Sequence, residues 1–154
     1  MLYADSSALV KAYVREAGSS AMRARLESGE EVFTSALTYA EIHAALARKQ
    51  RSGDLSREEF ATARDAFAFE WAHSLQSLEL DVKTASAVPD IVERFDIKAS
   101  DAVHLAAALW VQDMVRRVPA FAAGEVRLEF AVSDKPLARI AAHYGLAVFD
   151  PENR

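Results

Sequence analysis

The fold is decided by the opening stretch, which reads Leu2-Tyr3-Ala4-Asp5-Ser6-Ser7-Ala8-Leu9-Val10-Lys11. Its first residues are apolar and partly aromatic, which favours a short buried β-strand, and a helical pattern begins after Ser7. The strand therefore delivers Asp5 to its own C-terminal end. In open α/β sheets that edge forms ligand crevices and also holds helix N-termini. Asp5 is placed there either to cap a helix or to take part in chemistry.

The composition predicts a single soluble domain over residues 1–154. A chain of 154 residues is long enough to bury about 70% of its unfolded surface without staples. It has no cysteine, which excludes disulfides and thiolate zinc sites and agrees with a reducing cytoplasm. The longest nearly apolar run, residues 102–111, is too short to span a bilayer. The net charge of −5 lacks the basic excess of proteins that coat DNA. We expect a cytoplasmic protein with no membrane segment.

Apolar segments typical of strands alternate with helical patterns along the chain. This alternation predicts a three-layer α/β/α fold with a central, mainly parallel sheet. The expected strands lie in residues 2–4, 31–36, 75–80, 128–132 and 147–149. Helices are expected over residues 8–26, with a weak point near Gly18, over residues 82–95, where Pro89 interrupts the pattern, and over residues 135–144. Three further helices are expected to begin at Thr38, after the capping box Ser56-Arg57-Glu58-Glu59, and at Ser100. Residues 114–125 form a less regular segment.

Four acidic residues lie at comparable junctions of strand and helix: Asp5, Glu41, Asp101 and Asp134. Taken singly, each has an ordinary explanation as a helix cap or first-turn residue, and Glu41 would close a capping box with Thr38. Together they are harder to dismiss, because two carboxylates about 4 Å apart repel by about 4 kcal/mol at an effective dielectric of 20. Such a cluster needs protons or cations, and oxygen ligands without cysteine point to Mg²⁺ or Mn²⁺.

Each of the four acidic residues lies in a distinctive sequence block. The blocks are Tyr3-Ala4-Asp5-Ser6-Ser7-Ala8-Leu9-Val10-Lys11, Thr34-Ser35 with Ala40-Glu41-Ile42, Ser100-Asp101-Ala102-Val103-His104-Leu105-Ala106-Ala107-Ala108, and Ser133-Asp134-Lys135-Pro136-Leu137. These blocks resemble the PIN domain family, and within it the toxin subunits of VapBC toxin–antitoxin pairs. They occur in the family's order and span nearly the whole chain. One departure is Val132, which stands where the family commonly has threonine, with Ser133 supplying a hydroxyl beside it.

The resemblance implies a metal-dependent endoribonuclease. Carried over by position, Asp5, Glu41, Asp101 and Asp134 would hold Mg²⁺, or Mn²⁺ in its place, directly or through water. Ser7 would help to orient a water or a ligand carboxylate, although it also suits a helix first turn. A metal-activated water would cleave RNA in line, leaving a 5′-phosphate and a 3′-hydroxyl. The expected partners are an RNA substrate, a cognate VapB-like antitoxin and a second copy in a homodimer.

Two other features of the sequence predict contacts, one with a partner protein and one with RNA. Phe60, Phe67 and Trp71 form an apolar stripe that is usually core, although an exposed part of it would suit a partner. Of the basic residues that could meet RNA phosphates, Lys11 ranks first because it lies one turn beyond Ser7. The others are Arg15, Arg48, Lys49, Arg94, Lys98, Lys135 and Arg139, and scattered charges of this kind are usually just solvated surface.

His104 follows Asp101 by three residues on a largely apolar helix. We interpret it as a packed, hydrogen-bonded histidine without a catalytic role. Two other functions stay open. A haloacid-dehalogenase-like phosphohydrolase would use Asp5 as nucleophile, but Ser7 stands where such enzymes have a second aspartate. A catalytically silent PIN-fold module would bind RNA or protein without cleaving it.

Overall fold

The computed structural model describes residues 1–124 and 126–153, and it contains one five-stranded parallel sheet. The strands are Leu2–Ala4 (β1), Val32–Ser35 (β2), Leu75–Leu78 (β3), Glu129–Ala131 (β4) and Ala147–Phe149 (β5). Their spatial order is β3-β2-β1-β4-β5. Every pairing is parallel, for example Leu2 with Val32 and Tyr3 with Phe130. The predicted α/β architecture is confirmed.

Helices cover both faces of this sheet. Because side chains alternate along a strand, β1 sends Leu2 and Ala4 into one apolar cluster and Tyr3 into the other. The α-helices are Ser6–Leu9 (α1), Ser19–Glu27 (α2), Leu37–Ser52 (α3), Arg57–His73 (α4), Val82–Arg94 (α5), Ala99–Arg116 (α6), Pro119–Ala122 (α7) and Lys135–His143 (α8). The first cluster packs against α1 to α4, and the second against α5, α6 and α8.

The single helix expected over residues 8–26 is wrong. The chain instead forms the short α1, a 3₁₀ turn at Val10–Ala12 and the separate α2. Gly18, with φ of 86°, lies immediately before α2. A Cβ there would lie 2.9 Å from the backbone carbonyl carbon and oxygen of Pro151. The break is therefore a place where the C-terminal segment packs closely on the chain, and this needs a glycine.

Other helix boundaries also differ from expectation. Pro89 lies inside an uninterrupted α5 and does not split it. The helix α6 begins at Ala99, so Ser100 is not its N-cap, and Lys98 at that position makes no side-chain capping bond. Much of the segment predicted to be less regular, residues 114–125, is the end of α6 and the short α7, while Glu125 lies outside the described residues.

The aromatic stripe on α4 belongs to the core. Phe67 is fully buried, and Phe60 and Trp71 pack against the same cluster. The capping box at Ser56 and Glu59 forms as predicted, with both reciprocal bonds present. In the described parts of the chain, no helix has the length and apolar character needed to cross a membrane.

Candidate active site

The C-terminal edge of the sheet gathers the predicted acidic residues. Asp5 follows β1 directly, and its backbone N–H donates to the carbonyl of Ala131, the last residue of β4, at 2.9 Å. Asp134 comes three residues after that strand. The parallel arrangement thus brings two junctions, 129 residues apart in sequence, side by side.

Asp5 is both a helix cap and a buried carboxylate. Only 3% of it is exposed. Its Oδ2 accepts the backbone N–H of Ser7 at 2.9 Å and also the Ser7 hydroxyl. That hydroxyl in turn accepts the N–H of Ser133 at 3.0 Å. Ser7 therefore ties the ends of β1 and β4 together and fixes one oxygen of Asp5.

Asp101 and Asp134 line the same open cleft, which has a volume of about 330 Å³. Burial, then the negative charges of Asp5 and Asp134, raise the pKa of the Asp101 carboxyl above its usual value. Asp134 caps α8, because its Oδ1 accepts the N–H of Leu137 at 2.8 Å. Lys98 lines the cleft as well, and its positive charge acts against this rise in the pKa of Asp101.

Glu41 is held by a histidine and does not cap α3. Thr38, its expected capping partner, instead shares a 2.7 Å hydrogen bond with Thr34, so the predicted capping box does not form. The Glu41 carboxylate lies 2.8 Å from His104 Nε2. Burial, the largest single effect, would raise the pKa of Glu41, but the hydrogen bond and charge of His104, together with hydrogen bonds from Ser6 and Ser100, lower it.

His104 connects β1, α3 and α6. It is 1% exposed, its Nδ1 lies 3.3 Å from the Tyr3 hydroxyl, and its Nε2 lies 3.6 Å from Asp5 Oδ1. Burial would lower the pKa of this imidazole, yet the hydrogen bond to Glu41 and the charges of Asp5 and Glu41 raise it. The interpretation as a packed, hydrogen-bonded residue is correct, but its contacts with two candidate site carboxylates were missed. The Asp-x-x-His spacing, which puts both side chains on one helical face, was the available signal.

Lys11 does not flank the cleft, and its ranking as the first RNA-contacting residue is wrong. It is 6% exposed and forms ion pairs with Glu16 at 3.1 Å and Glu152 at 2.7 Å. A position one turn beyond Ser7 on a regular helix would have carried it outward. The chain leaves the α-helical path at Val10, and the side chain is directed to these carboxylates instead.

The donor set suits a hard divalent cation. It consists of carboxylate oxygens, and the buried hydroxyl of Ser133 beside Asp134 has no hydrogen-bond partner among the residues described. Within residues 1–124 and 126–153, however, no three acidic or histidine side chains converge closely enough to hold an ion by themselves. Mg²⁺ is commonly bound through one or two carboxylates, with water and substrate phosphates completing its shell. The residues fit that mode of binding and not a closed cage.

The fold and the acidic edge define an α/β protein with a carboxylate site at the C-terminal ends of β1 and β4. A model of the PIN domain family matches residues 2–112. Ribonucleases VapC45 and VapC49 of Mycobacterium tuberculosis are each 34% identical over 113 residues, which cover 73% of this chain and 78% of theirs. The chain belongs to the PIN domain family, as its sequence blocks predicted.

Solved structures agree on the fold. A toxin–antitoxin complex from Klebsiella pneumoniae has a TM-score of 0.64 at 14% identity and covers 98% of both chains. FitAcB from Neisseria gonorrhoeae has a TM-score of 0.63 at 18% identity and covers both chains completely. PIN-domain nucleases named VapC generally depend on divalent metal ions.

Proposed function

We propose that this protein is an endoribonuclease that depends on Mg²⁺ or Mn²⁺, and that it is the toxin of a toxin–antitoxin pair. The observation that carries the proposal is the acidic edge, where Asp101 lies in the negative field of Asp5 and Asp134. The VapC relatives, which are named ribonucleases, support RNA as the substrate. One domain over residues 1–154, acting in the cytoplasm, is part of the same proposal.

Each acidic residue has a separate role in this reading. Asp5 is buried and its Oδ2 is occupied by Ser7, which leaves Oδ1, 3.6 Å from His104 Nε2, as the oxygen for a cation. Asp101 and Asp134 stand on the wall of the cleft, where a phosphate group enters. Glu41 would supply a further carboxylate from the side of Asp5 on which His104 lies. These carboxylates would hold Mg²⁺, which lowers the pKa of bound water and neutralises charge on phosphoryl oxygens.

Other residues of the chain would orient the Asp5 carboxylate and neutralise the charge of the bound RNA. Ser7 keeps the Asp5 carboxylate in one rotamer and joins it to the backbone at Ser133. Lys98 lies on the cleft beside Asp101 and would contact a neighbouring RNA phosphate. Hydrolysis at this edge would leave a 5′-phosphate and a 3′-hydroxyl.

The test is cleavage of total bacterial RNA, which contains transfer, ribosomal and messenger RNA. We expect cleavage by the wild type with Mg²⁺ or Mn²⁺, none with excess EDTA, and little or none by Asp5→Asn or Asp101→Asn. Asp65→Asn changes an exposed carboxylate on α4 and is the matched control. Mass spectrometry of the products identifies their ends.

Three outcomes would contradict the proposal. Cleavage that persists in EDTA, or products with 2′,3′-cyclic phosphates, would indicate acid–base chemistry without metal. A stable phosphate ester on Asp5 would indicate the phosphohydrolase alternative. RNA binding without cleavage by any metal-loaded sample would indicate a catalytically silent module.

The partners are proposed separately, because the apolar stripe that suggested them is largely buried in the core. We expect a VapB-like antitoxin encoded by a neighbouring gene, and a homodimer of the 16.9 kDa chain. The toxin–antitoxin origin of the solved neighbour supports the antitoxin. Light scattering of the purified chain and of the co-expressed pair measures both assemblies. A monomer at micromolar concentration that forms no complex would contradict them.

A further inference from the structure

His104 is a buried side chain at the acidic edge that has no role in the proposed mechanism. It extends from α6 one helical turn beyond Asp101 and is 1% exposed. Both of its ring nitrogens have partners: Nδ1 meets the Tyr3 hydroxyl at 3.3 Å, and Nε2 meets Glu41 Oε2 at 2.8 Å. A histidine buried only for packing needs no charged partner from another layer of the fold.

The direction of the shorter hydrogen bond is fixed by chemistry. An ionised carboxylate only accepts, so Nε2 donates to Glu41. The hydroxyl of Tyr3 either donates or accepts, so it satisfies Nδ1 in either state of the ring. Tyr3 is itself immobile, because it is fully buried on β1 and stacks on Phe130 with ring centroids 5.6 Å apart. The central strand thus orients the imidazole, and the imidazole orients Glu41.

The imidazole also lies against the two carboxylates that would otherwise repel each other. Nε2 is 3.6 Å from Asp5 Oδ1 while it bonds Glu41. Glu41 comes from α3 and Asp5 from the end of β1, and the described residues show no direct bond between the two side chains. Ser6 and Ser100 also lower the pKa of Glu41 through hydrogen bonds, but the bond from His104 is the strongest of these contacts and the one that lies next to Asp5.

We infer that His104 is a positioning residue, whose Nε2 holds Glu41 beside Asp5 so that the acidic edge binds a divalent cation. The inference rests on the proposed function, which supplies the cation. Partners that orient metal-binding side chains through hydrogen bonds typically contribute 10- to 100-fold to metal affinity. A purely structural histidine would contribute to folding stability and leave the affinity unchanged.

Two substitutions of similar volume separate these roles. His104→Gln keeps an amide donor near the position of Nε2, whereas His104→Met fills the space and has no donor. Mg²⁺ affinity is measured by thermal melts across a Mg²⁺ titration, which needs no RNA and no activity. We expect His104→Met to weaken Mg²⁺ binding about 10- to 100-fold relative to wild type, and His104→Gln to restore most of that loss.

A double-mutant cycle with Glu41→Gln identifies the residue through which His104 acts. If His104 works by holding Glu41, His104→Met should have little further effect on Mg²⁺ affinity once Glu41→Gln is present. Tyr3→Phe is a second, milder variant that removes only the hydroxyl on Nδ1 and keeps the ring stack. It should weaken Mg²⁺ binding in the same direction by a smaller factor, and it decides the matter if His104→Met does not fold.

The results distinguish this inference from the proposed function. If the wild type responds to Mg²⁺ while His104→Met and Tyr3→Phe respond equally well, the inference is overturned and the proposed function stands. Additive effects of His104→Met and Glu41→Gln would also overturn it, because His104 would then act independently of Glu41. If the wild type itself does not respond to Mg²⁺, the metal dependence of the proposed function fails, and the role of His104 fails with it.

Discussion

At the scale of single residues, a helix cap and a site carboxylate are not exclusive alternatives. Asp5 and Asp134 each accept a backbone N–H in the first turn of the helix that follows, and each also contributes to the field at Asp101. A capping bond occupies one oxygen and leaves the other to a ligand. The sequence could therefore predict these residues from their junctions while leaving their roles undecided.

Asp101→Asn should stabilise the metal-free protein. The raised pKa of Asp101 shows that its charge is unfavourable where it lies, because burial and two like charges act on it. Removing that charge should raise the free energy of unfolding in EDTA by about 1 kcal/mol after screening. A first-turn carboxylate that served only the helix dipole would give the opposite sign, a loss of about 0.3–1 kcal/mol.

The measurement is chemical denaturation of wild type and Asp101→Asn in EDTA and in Mg²⁺. Mg²⁺ at about 100 times its dissociation constant should add about 2.7 kcal/mol to the wild type and much less to the variant. A variant that is less stable than wild type in EDTA, and equally responsive to Mg²⁺, would show Asp101 to be a simple first-turn residue.

The residues that sequence reasoning missed are those defined by distant partners. His104 bonds Glu41, 63 positions away, and Lys11 bonds Glu152, 141 positions away. Helical periodicity predicts which face of its helix a residue lies on, but it does not predict which residues from other helices or strands pack against that face. The junction residues were predictable because strand ends in a parallel sheet share one edge, and the same logic gave the fold class.

At the scale of elements, the break between α1 and α2 is the main departure from prediction. The helical spacing of apolar residues predicted one helix over residues 8–26, because this stretch contains no proline. The competing factor is the close approach of Pro151 to Gly18. That contact depends on where the C-terminal segment lies after β5, which local periodicity does not encode.

Gly18→Ala should be clearly more destabilising than Gly53→Ala. Both glycines have positive φ, 86° and 85°, so each alanine carries a similar backbone strain of about 1–2 kcal/mol. Only at Gly18 does the new Cβ meet backbone atoms at 2.9 Å, and at Gly53 nothing lies within 4 Å. The steric clash should add about 1–3 kcal/mol at Gly18, measured by denaturation. Equal losses at the two sites would show that the C-terminal segment moves away freely.

Glu16 lies in the loop before α2 and joins the 3₁₀ turn to α3 through ion pairs, so its contribution to stability should depend on pH. Its carboxylate pairs with Lys11 and with Lys49 of α3, at 3.1 and 2.7 Å. Burial, the largest single effect, would raise the pKa of Glu16, but the hydrogen bonds and charges of Lys49 and Lys11 together lower it below the usual 4.5. A lowered folded pKa means that the stabilisation is complete above 4.5 and is lost as pH falls through the folded pKa.

Glu16→Gln should therefore lower the free energy of unfolding by about 1.5–3 kcal/mol at pH 7, because the buried Lys11 keeps Glu152 but loses one of its two charged partners. The gap to wild type should shrink progressively as the pH falls below 4.5, since protonated Glu16 is as neutral as glutamine. Asp65→Asn, in the exposed pair with Arg64, is the control and should change stability by less than about 1 kcal/mol. A gap that stays constant down to pH 3 would disprove the ion-pair explanation.

At the scale of the whole molecule, the net charge of −5 and the acidic edge both oppose an RNA substrate. The two contributions are separable, because the overall charge acts through the screened average field, whereas the carboxylates of the edge would act directly on a phosphate bound at the proposed site. Screening reduces charge interactions beyond about 8–10 Å at physiological ionic strength. The local carboxylates should therefore matter more than the total.

The triple variant Asp5→Asn, Asp101→Asn, Asp134→Asn should bind single-stranded RNA in EDTA about 3- to 10-fold more tightly than wild type at low ionic strength, because three charges near the entering phosphate are removed. Asparagine keeps the caps at Asp5 and Asp134, so folding is preserved.

The control Glu27→Gln, Glu58→Gln, Glu93→Gln changes the net charge equally, from −5 to −2, but on exposed positions of α2, α4 and α5. Fluorescence anisotropy without divalent metal measures both, since no cleavage interferes. The gain of the site variant should disappear as salt rises toward 1 M. Equal gains in the two triple variants would mean that total charge governs RNA approach and that RNA does not enter at the acidic edge.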